Sequence, residues 1–246
     1  MKEDVSRVAV VSGTSSGIGA AVATEFLRRE YTVIGLSRRG NPALAKEEGY
    51  VDLIADLRDE EAVRAALTSA GDATVNGVRA VVLNAGSSPE PADLVKVEWQ
   101  VAADTYETNV RTALNLIQTS APLLKQSGGG SLTFVGASLA NGYKPERWAY
   151  AASKAAMTTL MRACSVEFAT DGVVANEVRP GPVATAMTMA GLDGEVNEQI
   201  IRAINAGFGT DWLKSPRTVA EWIVAIAEFP PNGPTGQVFN YSRKVL

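Results

Sequence analysis

The sequence predicts an α/β fold, a doubly wound parallel sheet of about seven strands with helices on both faces. Three observations lead to this fold class. Short apolar runs alternate with longer helical stretches along the 246 residues. The runs are almost uninterrupted Val, Ile and Leu, which is typical of parallel strands buried on both faces. A glycine-rich turn follows the first run, where a doubly wound sheet makes its first crossover.

In the first half of the chain, four apolar runs predict strands and two amphipathic stretches predict helices. The third run, YVDLIA, is followed by a charged segment with the apolar spacing of an exposed helix. The fourth run, RAVVLNAG, ends at a glycine, which marks the end of a strand. The predicted strands are 7–12, 32–37, 50–55 and 79–86, and the predicted helices are 17–30 and 59–70.

The second half continues the alternation. A long helix is broken by the glycine-rich segment at 127–131, and Pro180 stops the sixth strand. Residues 183–215 are irregular with helical patches, and no linker or repeat divides the chain, so we expect a single domain of residues 1–246. The predicted helices are 99–124, 149–169 and 217–228, and the predicted strands are 132–138, 173–181 and 236–241.

Composition narrows the classes of function. The net charge is −4 and no basic stripe is present, so nucleic acid is not an expected partner. No apolar run reaches the length that spans a membrane, and the N-terminal residues do not resemble a signal peptide. Cys164 is the single cysteine, which excludes an intrachain disulfide and favours a reducing compartment. We therefore expect a cytoplasmic protein.

The chain contains no histidine. This excludes hydrolases of the Ser-His-Asp type and zinc sites that contain His, and no metal site is predicted. Any proton transfer must therefore use Tyr, Lys or a carboxylate.

A phenol and an ammonium group are expected side by side in the Ala-rich helix. Tyr150 precedes Lys154 by four positions, with only small residues between them, and positions i and i+4 lie on one helix face. A nearby positive charge favours the phenolate and lowers a phenol pKa toward neutrality, which suits a proton-transfer catalyst. The alternative is an ordinary amphipathic helix with a Tyr at an interface and a solvated Lys.

The first strand-to-helix turn has the properties of a dinucleotide-binding turn. Gly13, Gly17 and Gly19 form the pattern G-x-x-x-G-x-G, and Ser15 and Ser16 add hydroxyl donors. Glycines let a pyrophosphate approach the backbone, and the helix N-terminus offers amide donors and a positive dipole end. The alternative is a turn in which glycine serves only close packing of helix and strand.

These motifs and four others fall in the order found in one family. LNAG (83–86) ends the fourth strand, ETNV (107–110) lies in the long helix, Ser138 follows the fifth strand, and RPGPVAT (179–185) follows the sixth. Over nearly its whole length the chain resembles the short-chain dehydrogenase/reductase family. The resemblance is to the compact single-domain subgroup, which includes 3-oxoacyl-carrier-protein reductases, and it implies a Rossmann-type fold.

The resemblance implies hydride transfer between a nicotinamide and a carbonyl or secondary alcohol carbon. Tyr150 would be the general acid/base, and Lys154 would lower its pKa and bind the nicotinamide ribose. Ser138 would hydrogen-bond the substrate oxygen as charge develops there. Asn109 would steady the long helix and a chain of water molecules that leads to Lys154.

The end of the second strand favours NADP(H) over NAD(H). NAD-preferring Rossmann proteins usually carry a carboxylate there, and this chain has Ser37 followed by Arg38 and Arg39. Arginine matches phosphate geometry, although a solvated basic turn is the alternative and NAD(H) remains the second choice. Asp56 would bond the adenine amine. The other residues that the resemblance assigns to the cofactor are Gly13, Ser15, Ser16, Ile18, Gly19, Leu57, Asn84, Ala85, Gly86, Tyr150, Lys154, Pro180, Gly181, Val183 and Thr185.

Segment 183–215 resembles the substrate lid of the family. Its apolar side chains line a pocket for a neutral or partly apolar carbonyl substrate, or else pack the lid against the body. The named side chains are Met187, Met189, Leu192, Phe208 and Trp212. The helices at 99–124 and 149–169 resemble those that pair between subunits, which implies a homotetramer, or a homodimer.

Two other functions remain open at this point. A nucleotide-binding regulator without turnover has the same fold, although it would not need Ser138, Tyr150 and Lys154 together. A sugar-nucleotide epimerase would need a longer chain with an added substrate domain.

Overall fold

The structure is a computed structural model that describes residues 7–75, 77–141, 146–189, 198–207 and 213–242. Seven strands form one sheet within these ranges, and every neighbouring pair is parallel. The strands are β1 (Val8–Ser12), β2 (Thr32–Ser37), β3 (Tyr50–Ile54), β4 (Val78–Leu83), β5 (Gly130–Val135), β6 (Val173–Arg179) and β7 (Val238–Asn240). Their order is β3-β2-β1-β4-β5-β6-β7, so the direction of winding reverses between β1 and β4. This confirms the predicted doubly wound fold.

Helices connect all consecutive strands except β2 and β3, between which there is only a short 3₁₀ turn, Leu44–Lys46. A π-helical turn, Glu107–Arg111, joins two of the helices into one long helix over the region predicted as 99–124. The described helices are α1 (Gly17–Arg28), α2 (Glu60–Ser69), α3 (Asp72–Val75), α4 (Trp99–Tyr106), α5 (Thr112–Gln126), α6 (Trp148–Glu167), α7 (Glu198–Gly207) and α8 (Pro216–Ala227). None of the helices in the described ranges has both the length and the apolar character needed to cross a membrane.

The sheet separates two apolar cores because successive side chains of a strand point to opposite faces. Val8 and Val10 of β1 pack with residues of α2, α5 and α6, whereas Ala9 and Val11 pack with residues of α1 and α8. All five residues of β1 are buried, which explains its uninterrupted apolar sequence. Each fully buried Val contributes roughly 1.5–3 kcal/mol.

The strand ends differ most from the predicted ones at β4 and β5, and both differences lie beside the cleft described below. β4 ends at Leu83 rather than Gly86, because the next amide, that of Asn84, donates to the Ser12 hydroxyl at 2.9 Å instead of continuing the ladder. β5 ends at Val135 rather than at 138, and Ser138 begins a short 3₁₀ turn. Residues 84–86 and 136–138 line the cleft, although the Gly136 amide still donates to the Val178 carbonyl oxygen of β6 at 2.9 Å.

We expect Gly19→Ala to lower the free energy of unfolding by about 2–3 kcal/mol, as overpacking does. A methyl group at Gly19 would overlap the Gly13 carbonyl oxygen and lie 2.6 Å from the Asn84 side-chain nitrogen. Urea unfolding monitored by circular dichroism measures the loss.

Gly71→Ala is the control, because Gly71 has φ +51° with no atom within 4 Å of the new methyl group. The unfolding free energy that Gly71→Ala loses reports backbone strain alone, about 1 kcal/mol. Equal losses in the two variants would contradict close packing at Gly19.

Candidate active site

A cleft of about 1010 Å³ opens at the carboxyl ends of the strands, where the winding of the sheet reverses. Ligands of doubly wound sheets bind at this position because the loops after β1 and β4 diverge to opposite faces. All the residues predicted to bind the cofactor line this cleft except Gly19, and among the predicted catalytic residues Asn109 does not line it.

The glycine turn forms one wall of the cleft. Gly13 and Gly17 have φ of +76° and +61°, a conformation that side chains rarely adopt. Ser16 stands at the N-cap of α1 without a hydrogen bond from its side chain to the helix, and it is exposed beside Ser15. The hydroxyl groups and first-turn amides are thus available to an anion at the positive end of the α1 dipole.

Gly19 lies behind this wall rather than on it. The α1 backbone packs so closely on the turn that no side chain fits between Gly19 and the Gly13 carbonyl group. The third glycine of the motif therefore serves helix packing, which is the alternative that the sequence left open for the whole turn.

The turn after β2 presents two arginines to solvent at the edge of the cleft. Arg38 and Arg39 are exposed, whereas Ser37 is buried and its hydroxyl accepts from the Gly40 amide at 3.0 Å. Asn41 ties this turn to the glycine turn by donating to the Thr14 carbonyl oxygen at 2.8 Å. The loop is therefore held in position while both guanidinium groups stay accessible.

Asp56 lies in the same end of the cleft, paired with Arg58. The Arg58 Nη2 atom is 2.6 Å from Oδ2 of Asp56, and the Arg58 backbone amide donates to Oδ1 at 3.0 Å. These hydrogen bonds lower the pKa of the Asp56 carboxyl group to about 2. Sequence reasoning did not assign Arg58 to the site, although its position two residues after Asp56 was a readable signal.

A network around Ser12 holds the end of β4 against the glycine turn. The Ser12 hydroxyl accepts from the amides of Asn84 and Ala85 at 2.9 and 3.0 Å and donates to the Val82 carbonyl oxygen at 3.2 Å. The Asn84 side chain donates to the Ser12 carbonyl oxygen at 2.9 Å. Asn84, Ala85 and Gly86 are thereby held where they line the cleft, and the sequence did not indicate the part played by Ser12.

Asn109 is fully buried in the π-helical turn. Its side-chain nitrogen donates to the Ser87 carbonyl oxygen and to the Ser153 hydroxyl, both at 2.9 Å, and its oxygen accepts from the Ser87 amide at 2.7 Å. Both amide hydrogens are thus used within the protein. Asn109 fixes the segment after Gly86 against α6, and the expected role in a chain of water molecules stays a prediction.

Tyr150, Lys154 and Ser138 lie together in the cleft. The Lys154 ammonium is 5.9 Å from the centre of the Tyr150 ring and donates to the Val135 carbonyl oxygen at 2.9 Å. Within the described residues, neither the Tyr150 phenol nor the Ser138 hydroxyl has a hydrogen-bond partner, so both are available to a ligand. Their shared wall is formed by the N-terminal half of α6 and the turn that follows β5.

Burial perturbs the two ionisable groups in a direction that the sequence did not indicate. It raises the pKa of the Tyr150 phenol to about 12, and the nearby Arg147 guanidinium opposes the rise. Burial also lowers the pKa of Lys154 to about 8, which Glu177 partly offsets. The expected lowering of the Tyr150 pKa by Lys154 is therefore wrong for the ligand-free protein, because loss of hydration outweighs the neighbouring charge.

The segment after β6 closes the cleft from the opposite side. Pro180, Gly181, Val183 and Thr185 line it, and the Thr185 methyl group lies 3.3 Å from the position of a Cβ on Gly17. Met187 also lines the cleft, and Met189 packs beside Ala184, Ile201 and Leu213. The predicted lid residues Leu192, Phe208 and Trp212 lie outside the described residues.

The cleft has the features that bind a dinucleotide. A glycine wall with a free helix N-terminus accepts a pyrophosphate, and the arginines at one end accept a further anionic group. Among the described residues, no cluster of three or more His, Cys, Asp or Glu side chains is placed to hold a metal ion.

A family model described as short chain dehydrogenase matches residues 7–195, which contain the glycine turn, Ser138 and the Tyr150–Lys154 pair. The chain belongs to the short-chain dehydrogenase family. The observed fold agrees with the family resemblance found in the sequence. The members of this family are oxidoreductases.

Relatives within the short-chain dehydrogenase family differ in cofactor. The chain is 28% identical over 221 residues to an "NADPH-dependent aldehyde reductase-like protein, chloroplastic" from Arabidopsis thaliana, covering 82% of this chain and 81% of that protein. A 3-ketoacyl-(acyl-carrier-protein) reductase from Brucella melitensis complexed with NADH has the same fold, with a TM-score of 0.81, 21% identity and 96% of each chain covered. ElxO with NADP bound gives a TM-score of 0.78 at 24% identity, again with 96% of each chain covered.

We expect Lys154→Met to raise the free energy of unfolding at pH 7 by about 2–3 kcal/mol, because the protein then no longer buries an ammonium group. The pKa of Lys154 falls from 10.5 to about 8 on folding. Between these values the unfolded chain binds more protons, so the stability of the unmodified protein rises with pH. The advantage of Lys154→Met should therefore shrink from pH 7 to pH 10, as measured by urea unfolding.

Lys46→Met is the control, since Lys46 is exposed. It should leave both the stability and its pH dependence unchanged. The burial of a charged group would be contradicted if Lys154→Met were less stable than the unmodified protein at pH 7 and the difference in unfolding free energy were the same at pH 10.

Proposed function

We propose that this protein is an NADP(H)-dependent oxidoreductase that interconverts a carbonyl compound and a secondary alcohol. The observation that carries the proposal is the phenol of Tyr150, which has no hydrogen-bond partner among the described residues. It lies next to the Lys154 ammonium in the cleft that the glycine turn also lines. A proton donor, a cation and an anion-binding helix end in one cleft are the groups that hydride transfer to a carbonyl requires.

The bound dinucleotide would supply the hydride, and the chain's own residues would handle the proton and the developing charge. Tyr150 keeps its proton at neutral pH because its pKa is about 12, so it acts as the acid that protonates the substrate oxygen during reduction. Ser138 donates a hydrogen bond to the same oxygen. Lys154 stands close enough to stabilise the phenolate that remains.

The preference for NADP(H) rests on the charge at one end of the cleft. Arg38, Arg39 and Arg58 line this end together, and the carboxylate there, Asp56, is already paired with Arg58. The residue at the end of β2 is not a carboxylate but Ser37, which is buried and bonded to its own turn. An additional phosphate is therefore favoured there by the two exposed guanidinium groups.

The substrate is proposed to be a neutral or partly apolar carbonyl compound. The aldehyde reductase-like and ketoacyl reductase relatives are named for carbonyl reduction, which is consistent with this class. Met187 and Leu139 give the cleft an apolar side near Tyr150. Oxoacyl thioesters, cyclic ketones, sugars and steroids are the compounds to assay.

A homotetramer, or a homodimer, is proposed from exposed apolar side chains on the long helix and α6. Trp99, Leu114 and Val166 are 75%, 39% and 77% exposed, which favours their burial in an interface between subunits. A cytoplasmic location is proposed from the single cysteine, Cys164, which is buried and free.

Turnover of NADPH with a panel of carbonyl compounds tests the proposed function. Oxidation of NADPH that depends on one class of carbonyl compound supports it. Binding of NADPH without consumption across the whole panel would instead indicate a nucleotide-binding regulator on the same fold.

We expect Tyr150→Phe to lower kcat by on the order of 10²–10⁴-fold, because the variant keeps the ring and loses the transferable proton. The dissociation constant for NADPH, measured by fluorescence titration, should change little. Tyr31→Phe is the matched control, because Tyr31 is buried in the core between α1 and the sheet, away from the cleft. A Tyr150→Phe enzyme with the kcat of the unmodified protein would exclude Tyr150 as the acid.

We expect Arg38→Ala to raise KM for NADPH about ten- to a hundredfold, the value of one charge-assisted hydrogen bond, and to leave KM for NADH nearly unchanged. The double variant Arg38→Ala/Arg39→Ala shows whether Arg39 compensates. Ser37→Asp should shift the preference further toward NADH by repelling a phosphate.

Arg217→Ala is the control, since Arg217 is an exposed arginine of α8 paired with Glu221. Steady-state kinetics with both cofactors decide the question. A higher kcat/KM for NADH than for NADPH in the unmodified protein would overturn the proposed preference and make Arg38 and Arg39 a solvated turn.

A further inference from the structure

Strand β6 carries two buried charged residues in an otherwise apolar and amide sequence. Glu177 and Arg179 are 0% and 2% exposed, and the Arg179 Nε atom donates to Glu177 Oε1 at 2.6 Å. Because the two residues are two positions apart on the strand, both side chains project to the same face, which α6 covers. A buried ion pair is often no more stabilising than apolar residues of the same volume, so stability alone does not account for it.

Arg179 connects the pair to the backbone of Lys154. Its Nη2 atom donates to the Thr158 hydroxyl at 2.9 Å, and that hydroxyl donates to the Lys154 carbonyl oxygen at 3.2 Å. Thr158 lies one helical turn after Lys154 on α6, so the guanidinium group fixes the turn of the helix that carries the ammonium.

Glu177 connects the pair to the side-chain end of Lys154. Its carboxylate occupies the space beside Gly136, where a Cβ would lie 2.7 Å from the Glu177 Cδ atom. Gly136 directly follows Val135, whose carbonyl oxygen accepts from the Lys154 ammonium at 2.9 Å. The pair is therefore hydrogen-bonded to the backbone of Lys154 through Thr158, and it packs against the residue next to the one that accepts from the ammonium.

We propose that the Glu177–Arg179 pair positions Lys154 and keeps its buried ammonium charged beside Tyr150. Glu177 supplies a negative charge that balances the ammonium. Arg179 partly neutralises the Glu177 carboxylate and binds it to α6 through Thr158. Both are positioning residues, since neither lines the cleft. The proposal rests on the proposed function for its effect on turnover, but not for its effect on Lys154 itself.

The charges around Lys154 support this assignment. Burial lowers its pKa, and Glu177 is the carboxylate that opposes the effect. The groups that face it are Tyr150 on its own helix, the neutral Asn109 near Gly86, and the Glu177–Arg179 pair on β6. The ammonium of Lys214 lies beside Gly181, two residues after the end of β6.

Two single substitutions should move the Lys154 pKa in opposite directions. Glu177→Gln keeps the shape and leaves Arg179 as an uncompensated cation, so the pKa should fall by on the order of one pH unit. Arg179→Met leaves Glu177 as an uncompensated anion, so the pKa should rise by a similar amount. The double variant Glu177→Gln/Arg179→Met should return it close to the original value.

The pKa is measured directly by NMR titration of the lysine ammonium groups in the ligand-free full chain, with Lys154→Met to assign the signal. In parallel, the alkaline limb of the kcat–pH profile should move with the pKa, while KM for NADPH stays nearly constant. Glu177→Asp, which retains the charge, should keep most of the original pKa and kcat.

Shifts of opposite sign support the proposal. Shifts of the same sign, or none in folded single variants, overturn it and leave the pair with a structural role only. If the single variants do not fold, Gly136→Ala decides, since its methyl group displaces the carboxylate while both charges remain. A lower Lys154 pKa in that variant supports the proposal, and an unchanged one overturns it.

Lack of turnover in the unmodified protein would contradict the proposed function alone, because the NMR titration does not depend on activity. Normal turnover with no shift in the titration would contradict only the role of the Glu177–Arg179 pair.

Discussion

The close approach of the β1 and β4 ends is the constraint on which the cleft depends. One hydroxyl, that of Ser12, bonds two successive amides of the 84–86 segment, and the Asn84 side chain returns a bond to the β1 backbone. These contacts keep β4 directly beside the glycine turn after its ladder has ended. The glycine turn and residues 84–86 therefore line the same cleft.

Loss of hydration shifts the pKa values of Tyr150 and Lys154 in opposite directions. Burial disfavours whichever form is charged, so the phenol retains its proton more strongly and the ammonium releases its proton more readily. Both groups then approach the state in which neither carries charge.

The sequence predicted the fold because most strands are short runs rich in apolar residues, and glycine or proline marks many of the turns between them. It also predicted most residues of the cleft, since the motifs stand directly after strands. It failed where the answer depends on distance between separated segments. The pKa of Tyr150 depends on its burial, the hydrogen bonds of Asn109 depend on Ser87 and Ser153, and Arg58 enters the site through its pairing with Asp56. Glu177 and Arg179 were visible as charges in an apolar strand, but their link to Lys154 required the packing of α6 on β6.

The π-helical turn between α4 and α5 sets a phase difference between the two halves of one long helix. Each residue of an α-helix turns the chain by about 100°. The wider turn at Glu107–Arg111 absorbs one residue, so that Asn109 faces Ser87 and α6 while Leu116 and Ile117 still face the sheet. Removal of one residue there would restore regular α-helix and rotate α5 out of register with its core. The fold therefore restricts the number of residues in this turn more tightly than their identity. We expect the protein to tolerate substitutions there better than deletions.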